Sequence, residues 1–254
     1  MRDELTFALR EVRDAARILP ACAADLRIRT KNDGSPVTDL DLELDARLVG
    51  AIQQVWPEDG IVSEESGAVP GRSGRTWLVD PIDGTSSLVA GGSAWGTHLA
   101  LADNGEVLLG VISRPLSERM IWAARGHGSW SSSPGQQSPQ RMRVSQNQSE
   151  IDVRAVGLLD PGRPTAFELE RAAKVLLQDD FAVEALADGR ADVLLDDAGK
   201  AWDQAPAVVI VEEAGGQFTS LKGRHAYDDG YGIYSNGVLH GWARSVARRA
   251  GVAC

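Results

Sequence analysis

The stretch WLVDPIDGTSSL, Trp77–Leu88, decides how the rest of the chain is read. Its apolar opening, Trp77-Leu78-Val79, reads as a buried strand, and Pro81, which cannot donate to a ladder, is expected to end that strand at Asp80. A bend at the proline would let Asp83 swing back toward Asp80, so that two carboxylates meet at the end of a sheet. Like charges this close repel, and the usual remedies are a shared proton or a shared cation. Gly84-Thr85 then leads into Ser86-Ser87-Leu88, a helix start whose backbone N–H groups suit a phosphate. The same residues also fit an ordinary Asx-turn with Asp83 capping the helix.

Three more acidic positions bear on that choice. Glu64-Glu65 close the extended segment IVSEESG (61–67), where a neighbouring strand would end, although a Glu pair also suits plain solvent exposure. Asp41 lies in the first turn of a helix, and Thr38 three residues earlier allows a capping-box pair. Asp203, in AWDQAP, sits where another helix begins and fits an N-cap. Oxygen ligands at this density suit a hard ion such as Mg²⁺, and the four histidines (His98, His127, His225, His240) are scattered, so a softer metal is not indicated.

Outward from this region, helical and strand periods alternate. Leu5, Ala8, Leu9, Val12, Ala15, Ala16 and Leu19 predict an amphipathic first helix. RTKNDGSP (29–36) reads as a loop, and Leu40, Leu44, Leu48, Ile52 and Val55 mark a second helix. THLALAD (97–103) and EVLLGVISR (106–114) flank Asp103-Asn104-Gly105, a tight-turn signal, and ERMIWAAR adds a third strand. SSSPGQQSPQ (131–140) is a polar loop and a plausible boundary. Beyond it, TAFELERAAKVLL (165–177) reads as a helix, ADVLLDD as a strand, DQAPAVVIVEEAGG as a helix closed by glycines, YGIYSNG as a strand and LHGWARSVARRAG as a final helix. The expectation is an α+β part over 1–140 with an antiparallel sheet and most of the candidate ligands, and a smaller α/β part over 141–254 that supplies Asp203.

A net charge of -10 argues against nucleic acid or an anionic membrane as partner; an anionic substrate would need a local reversal of sign, which a bound cation provides. Two cysteines, Cys22 and Cys254, form neither a CxxC pair nor a disulfide framework. The charged start is unlike a signal peptide and no apolar run is long enough to span a bilayer, so the cytoplasm is the expected compartment. Neither GxSxG nor GxxxxGK[ST] occurs, and Gly126-x-Gly128 alone is a weak signal.

The blocks EES (64–66), WLVDPIDGT (77–85) and WDQAPAVVIVEEAGG (202–216), in this order, resemble the three signature blocks of the inositol monophosphatase superfamily of Mg²⁺-dependent, lithium-sensitive phosphatases. PVTDLD (36–41), AARGHGSW (123–130) and YSNG (234–237) extend the resemblance over nearly the whole chain. It implies a layered αβαβα sandwich of the inositol monophosphatase and fructose-bisphosphatase type, two or three Mg²⁺ per active site, and a homodimer. It further implies that Glu64, Asp80 and the carbonyl of Ile82 hold a first Mg²⁺, and that Asp80, Asp83 and Asp203 hold a second, with Glu64 helping at a weaker third. Thr85 and Asp41 would position the attacking water, and the N–H groups of Gly84 and Thr85 would receive the phosphate. Asp41 and Asp203 can cap their helices and face the site as well.

The second half departs from the family pattern. Gln178-Asp179-Asp180 replace small residues, the stretch from Val144 to Trp202 looks short, and Asp196 stands where inositol-type members often carry a substrate-binding Glu. RTKNDGSPVTDLD and YSNGVLH look most like the histidinol-phosphate phosphatase branch, and an extra carboxylate at Asp179 or Asp196 would suit that cationic substrate. The alternatives are inositol 1-phosphate or another polyol or sugar phosphate, and a degenerate member that binds without turnover.

Overall fold

The two helices predicted at the start of the chain form as α1 (Arg2–Cys22) and α2 (Asp39–Val55) in the computed structural model, which describes residues 1–22, 26–159, 163–176 and 182–251. Between them, the segment expected to be a loop is a hairpin instead, β1 (Ile28–Thr30) paired antiparallel with β2 (Pro36–Thr38). The Asn32-Asp33-Gly34 turn closes it, with Asp33 Oδ1 accepting from Ser35 N–H at 3.0 Å, so the turn chemistry outweighs the polar composition. Thr38 caps α2 through the expected capping box: Asp41 N–H donates to Thr38 Oγ1, and Thr38 N–H donates to Asp41 Oδ2 at 2.8 Å.

The next strands build the main sheet: β3 (Gly60–Ser63), β4 (Gly67–Val69), β5 (Arg75–Asp83), β6 (Gly96–Asp103), β7 (Glu106–Arg114), β8 (Arg119–Ala124), β9 (Gly128–Ser132) and β10 (Gln140–Arg141), with the short helix α3 (Thr85–Val89) between β5 and β6. Their order is β10-β9-β8-β7-β6-β5-β3-β4, antiparallel except for the β3–β5 pair. Pro81 does not end β5, contrary to expectation. The strand runs on to Asp83 through a bulge: Asp80 pairs with His98 and Asp83 with Gly96, a slip of one residue. A bulge leaves the extra residue outside the ladder, which is where a residue lacking N–H is tolerated. Thr97 Oγ1 donates to the Pro81 carbonyl at 2.9 Å and fixes the distortion.

The slip re-aims side chains. Trp77 and Val79 face α1 and α2, while Leu78 faces the opposite side. Strict alternation would put Asp80 and Asp83 on opposite faces. With one residue added, Ile82 turns inward against Leu40, Leu44 and Trp95, and both aspartates reach one cavity.

The second sheet contains β11 (Arg154–Leu158), β12 (Lys174–Val175), β13 (Val193–Asp196), β14 (Gln217–Ser220) and β15 (Gly232–Ser235), in the order β12-β11-β13-β15-β14. Helices α4 (Pro164–Ala172), α5 (Ala182–Ala187), α6 (Ala201–Glu213) and α7 (His240–Arg249) accompany it. The helix predicted over 165–177 stops at Ala172. Lys174 N–H bonds to the Val153 carbonyl and Leu176 N–H to that of Ala155, both at 2.8 Å, because the open edge of β11 offers pairing that outweighs helix propensity. Gln178-Asp179-Asp180, singled out in the sequence, lie outside the described residues.

Helices α1 and α2 cover one face of the main sheet, α6 and α5 fill the space between the two sheets, and α4 and α7 cover the far face of the second. The result is the expected layered αβαβα fold. Helix α6 is buried from Gln204 to Val211 and therefore apolar on all sides, as a helix between two sheets must be. It approaches β7 at backbone distance: a Cβ added to Gly110 would lie 2.5 Å from Pro206 Cα. Gly110→Ala should therefore lower stability by about 1–3 kcal/mol through overpacking. Chemical denaturation reads this out, and a variant as stable as wild type would show that the approach is not tight.

Candidate active site

The bulge in β5, the end of β3 and the start of α6 converge on a cavity of about 190 Å³ whose walls include Glu64, Asp80, Ile82, Asp83, Gly84, Thr85 and Asp203, with Ser35, Lys200 and Trp202 beside them. All four predicted carboxylate ligands thus meet. Asp203 is not the N-cap expected of it. Lys200 holds that position, and Asp203, at the third residue of the helix, accepts from Lys200 N–H at 2.7 Å while its carboxylate also hydrogen-bonds to Asp80. Asp80 is almost fully buried, and its Oδ1 has no hydrogen-bond partner among the described residues. An oxygen left unsatisfied in this way is costly unless something binds it.

Asp41 is fully buried behind Thr85. Its Oδ2 is taken up by Thr38, and its Oδ1 accepts from Thr85 Oγ1 at 2.8 Å. The Ile82 carbonyl lies 3.0 Å from the same hydroxyl, which has one proton; the carboxylate is the stronger acceptor. Gly84 adopts a left-handed conformation (φ 82°), and a Cβ there would meet the Ala94 carbonyl at 2.2 Å, so glycine is required where the chain turns from strand into α3. With only five residues, α3 brings its unpaired first-turn N–H groups to the cavity rather than a sizeable dipole.

Three side chains missed in the sequence complete the site. Lys31, on the β1–β2 turn, donates to Glu64 Oε1 at 2.7 Å and Glu65 Oε1 at 2.6 Å. Arg114, at the end of β7, donates to Asp83 Oδ2 at 3.2 Å. His98 Nε2 lies 3.3 Å from the same oxygen, without hydrogen-bond geometry. The histidines are therefore not all remote: ligand atoms of Asp83, His98 and Asp203 fall within 4.8 Å of one another. Burial, aided by Arg114 and opposed by Asp83, lowers the His98 pKa to about 4, so the ring is neutral at pH 7 and Arg114 is the cation at Asp83. Burial alone would raise the Asp83 carboxyl, but the Arg114 guanidinium, hydrogen-bonded to it, helps to hold it low.

A second cavity of about 190 Å³ adjoins the first and shares Asp83 and Asp203 with it. Leu158, Ala182, Val183 and Leu194 form its apolar wall, and Asp196, Arg114, His98 and Tyr234 bring polar groups. The Oδ1 of Asp196 accepts from Ala198 and Gly199 N–H at 3.0 and 2.9 Å, and burial raises its pKa to about 6. Tyr234 Oη is buried without a hydrogen-bond partner among the described residues. Asp179, the other weak substrate-contact candidate, lies outside the described residues.

A layered α+β fold that gathers four carboxylates in one cavity at a sheet end fits the family resemblance read from the sequence. The sequence model of one family, the inositol monophosphatase family, matches residues 1–251. The chain belongs to the inositol monophosphatase family, whose members are phosphoric monoester hydrolases. It is 34% identical over 244 residues to a histidinol-phosphatase of Mycobacterium tuberculosis, covering 93% of this chain and 94% of that one. A Streptomyces griseus protein named glucose-1-phosphate thymidylyltransferase is 36% identical over 225 residues, 85% of each chain; that name denotes nucleotidyl transfer and is said of that protein alone. Among solved structures, an IMPase from Thermotoga maritima superposes with a TM-score of 0.83 at 28% identity over 98% of both chains. No helix among the described residues is long and apolar enough to cross a membrane.

Burial, followed by the charges of Asp203, Glu64 and Asp83, raises the Asp80 carboxyl well above the usual range; burial and Asp83 raise Asp203. The pair therefore keeps a proton at neutral pH when no cation is bound. A carboxyl raised on folding contributes stability that is complete below its unfolded pKa, about 4, and is lost as pH climbs through the folded value. Metal-free protein should melt at lower temperature as pH rises from about 7 to about 9, a range above most imidazole titration. The slope should be shallower in Asp203→Asn, and equal slopes in the two proteins would contradict the shared proton.

Proposed function

We propose that the chain is a Mg²⁺-dependent phosphomonoesterase that hydrolyses a small polar phosphate ester by direct attack of water, with histidinol phosphate as the first candidate substrate. The observation that carries this reading is the buried Oδ1 of Asp80, unpartnered among the described residues, where Glu64, Asp83 and Asp203 converge on it. The donor set fits a hard cation, since Glu64, Asp80, the Ile82 carbonyl, Asp83 and Asp203 all offer oxygen. Glu64, Asp80 and Ile82 would hold one Mg²⁺; Asp80, Asp83 and Asp203 would hold another, with a weaker third at Glu64. When bound, Mg²⁺ neutralises phosphate oxygens and acidifies water.

The protein's own groups orient the reactants. Asp41 draws the Thr85 proton to itself, which leaves the hydroxyl lone pairs facing the cavity as acceptors for the attacking water. Asp41 thus acts through Thr85 and needs no contact with the water. The N–H groups of Gly84 and Thr85 are offered to the phosphate, and its alcohol would extend into the adjoining cavity.

Similarity to a histidinol-phosphatase and the acidic side chain of Asp196 on the alcohol side support an amine-bearing alcohol. Tyr234 Oη and the His98 ring, polar groups without hydrogen-bond partners among the described residues, favour a polyol phosphate as the second reading. Phosphate release from histidinol phosphate and inositol 1-phosphate, measured side by side with Mg²⁺, tests both. Activity should vanish with EDTA and fall about 100-fold or more in Asp83→Asn. Asp196→Asn should raise KM for histidinol phosphate about tenfold and leave inositol 1-phosphate little changed. Failure to hydrolyse either ester, or any other phosphomonoester in a broad panel, would sink the enzyme reading.

A further inference from the structure

The face of the main sheet that α1 covers carries a cavity outside the active site. It measures about 520 Å³ and lies between the second half of α1, the end of β7 and the start of β8. We propose that it is a second binding site, for a small organic anion with an apolar body. Among the described residues it shares no wall with the two active-site cavities, and phosphatase activity is not needed for it to bind.

Arg13 and Arg17, one turn apart on α1, both line the cavity, with Ala16 between them. Helix residues at this spacing share a face, and like charges there repel. Asp14 answers Arg17 only loosely, at 3.4 Å, and is shared with Arg47 at 3.6 Å. Arg13 has no ion-pair or hydrogen-bond partner among the described residues. Glu118 is the one carboxylate of the wall among those residues; it is exposed and forms no ion pair with either arginine. Arg119, the third arginine of the wall, is bonded to Glu184 of α5. In a chain of net charge -10 this cavity is a local reversal of sign, and such a reversal draws anions.

The rest of the wall is apolar or hydroxylic. Pro115 and Met120 are buried, and Leu116 stays 54% exposed, an apolar side chain left to solvent near two cations. Ser113, only 1% exposed, accepts from Thr97 N–H at 3.3 Å; its own proton has no acceptor among the described residues and is left for a ligand. A carboxylate, sulfonate or phosphate would take charge-assisted hydrogen bonds from Arg13 and Arg17. Its apolar body would cover Leu116 and Met120, and the cavity has the volume of a small-molecule site. Strand β7 divides this site from the active one. Ser113 lines the first, while Arg114, the next residue, points across the sheet and lines the second cavity of the active site.

Anilinonaphthalene sulfonate joins an aromatic body to one sulfonate and brightens on leaving water, so it serves as the probe, titrated into the folded chain well below its melting temperature. Wild type should bind about one molecule per chain, and phenylnaphthylamine, which lacks the sulfonate, should bind about tenfold more weakly. The double variant Arg13→Gln/Arg17→Gln, altered at exposed positions, should lose about tenfold in affinity for the sulfonate. Ala16→Phe keeps both charges and fills the cavity, and should do the same; Ala16→Leu replaces it if its melting curve shows misfolding. Arg248→Gln removes an exposed charge from α7 and should change nothing. No saturable binding in wild type, unchanged affinity in either α1 variant, or an equal loss in Arg248→Gln would overturn the inference. Equal affinity for the uncharged probe would do so too. So would binding that fades as protein concentration rises, since a second copy of the chain would then cover this face.

Discussion

A slip of one residue in the pairing of β5 with β6 is the constraint on which the site depends. Asp80 and Asp83 are three apart, and an unbroken strand would aim them at opposite faces. The bulge at Pro81-Ile82 turns Asp83 to the side of Asp80 and sends the Ile82 side chain into the α2 core, where Leu40 and Leu44 hold it. The same shift leaves the Ile82 carbonyl beside Thr85. Proline suits the distortion because it has no N–H to lose. Every other candidate ligand is brought to a point that this irregularity defines.

Gathering acidic groups at that point works against folding, and the structure answers in three ways. Lys31 and Arg114 sit at the two ends of the array, and burial with mutual repulsion raises the Asp80 and Asp203 carboxyls, which favours a protonated form. Asp41 is compensated differently, by three hydrogen bonds from Thr38 and Thr85. A buried group that is unsatisfied without ligand is a stability cost retained for function. The apolar layers on both sides of the main sheet make that cost bearable, with Trp77 packed against Phe7 and Trp56 as one example.

Long elements were legible in the sequence because their periods extend over several turns or pairs: α1, α2, α6, α7 and the β6–β7–β8 meander all follow from spacing. Strands of two to five residues, such as β4, β10, β11 and β14, are too short to establish a period and exist through their neighbours. The four carboxylates were legible as well: Glu64 and Asp80 at expected strand ends, Asp83 after a proline and Asp203 at a helix start, with the family resemblance joining them into one set. Lys31, His98 and Arg114 were not, because their partners are distant in the chain and register decides who meets whom. Counting back from the Asp103-Asn104-Gly105 turn would misplace His98 by one residue, since a second irregularity at Leu101/Ala102 shifts the β6–β7 pairing. The proline rule failed at Pro81 for a related reason: it describes regular ladders, and the functional site is built where the ladder is irregular.

Asp196 and Asp203 lie on one short run of chain, from the end of β13 through the turn at Ala198-Gly199 into α6. One carboxylate shapes that turn and faces the second cavity; the other lines both cavities. A change of preference made at Asp196 must therefore keep an acceptor for the turn, as Asn does, or it disturbs the support of Asp203. The opposite wall, Leu158 with Ala182 and Val183, belongs to β11 and α5 and has no such tie. Within this scaffold, divergence toward new alcohols has one free wall and one locked wall.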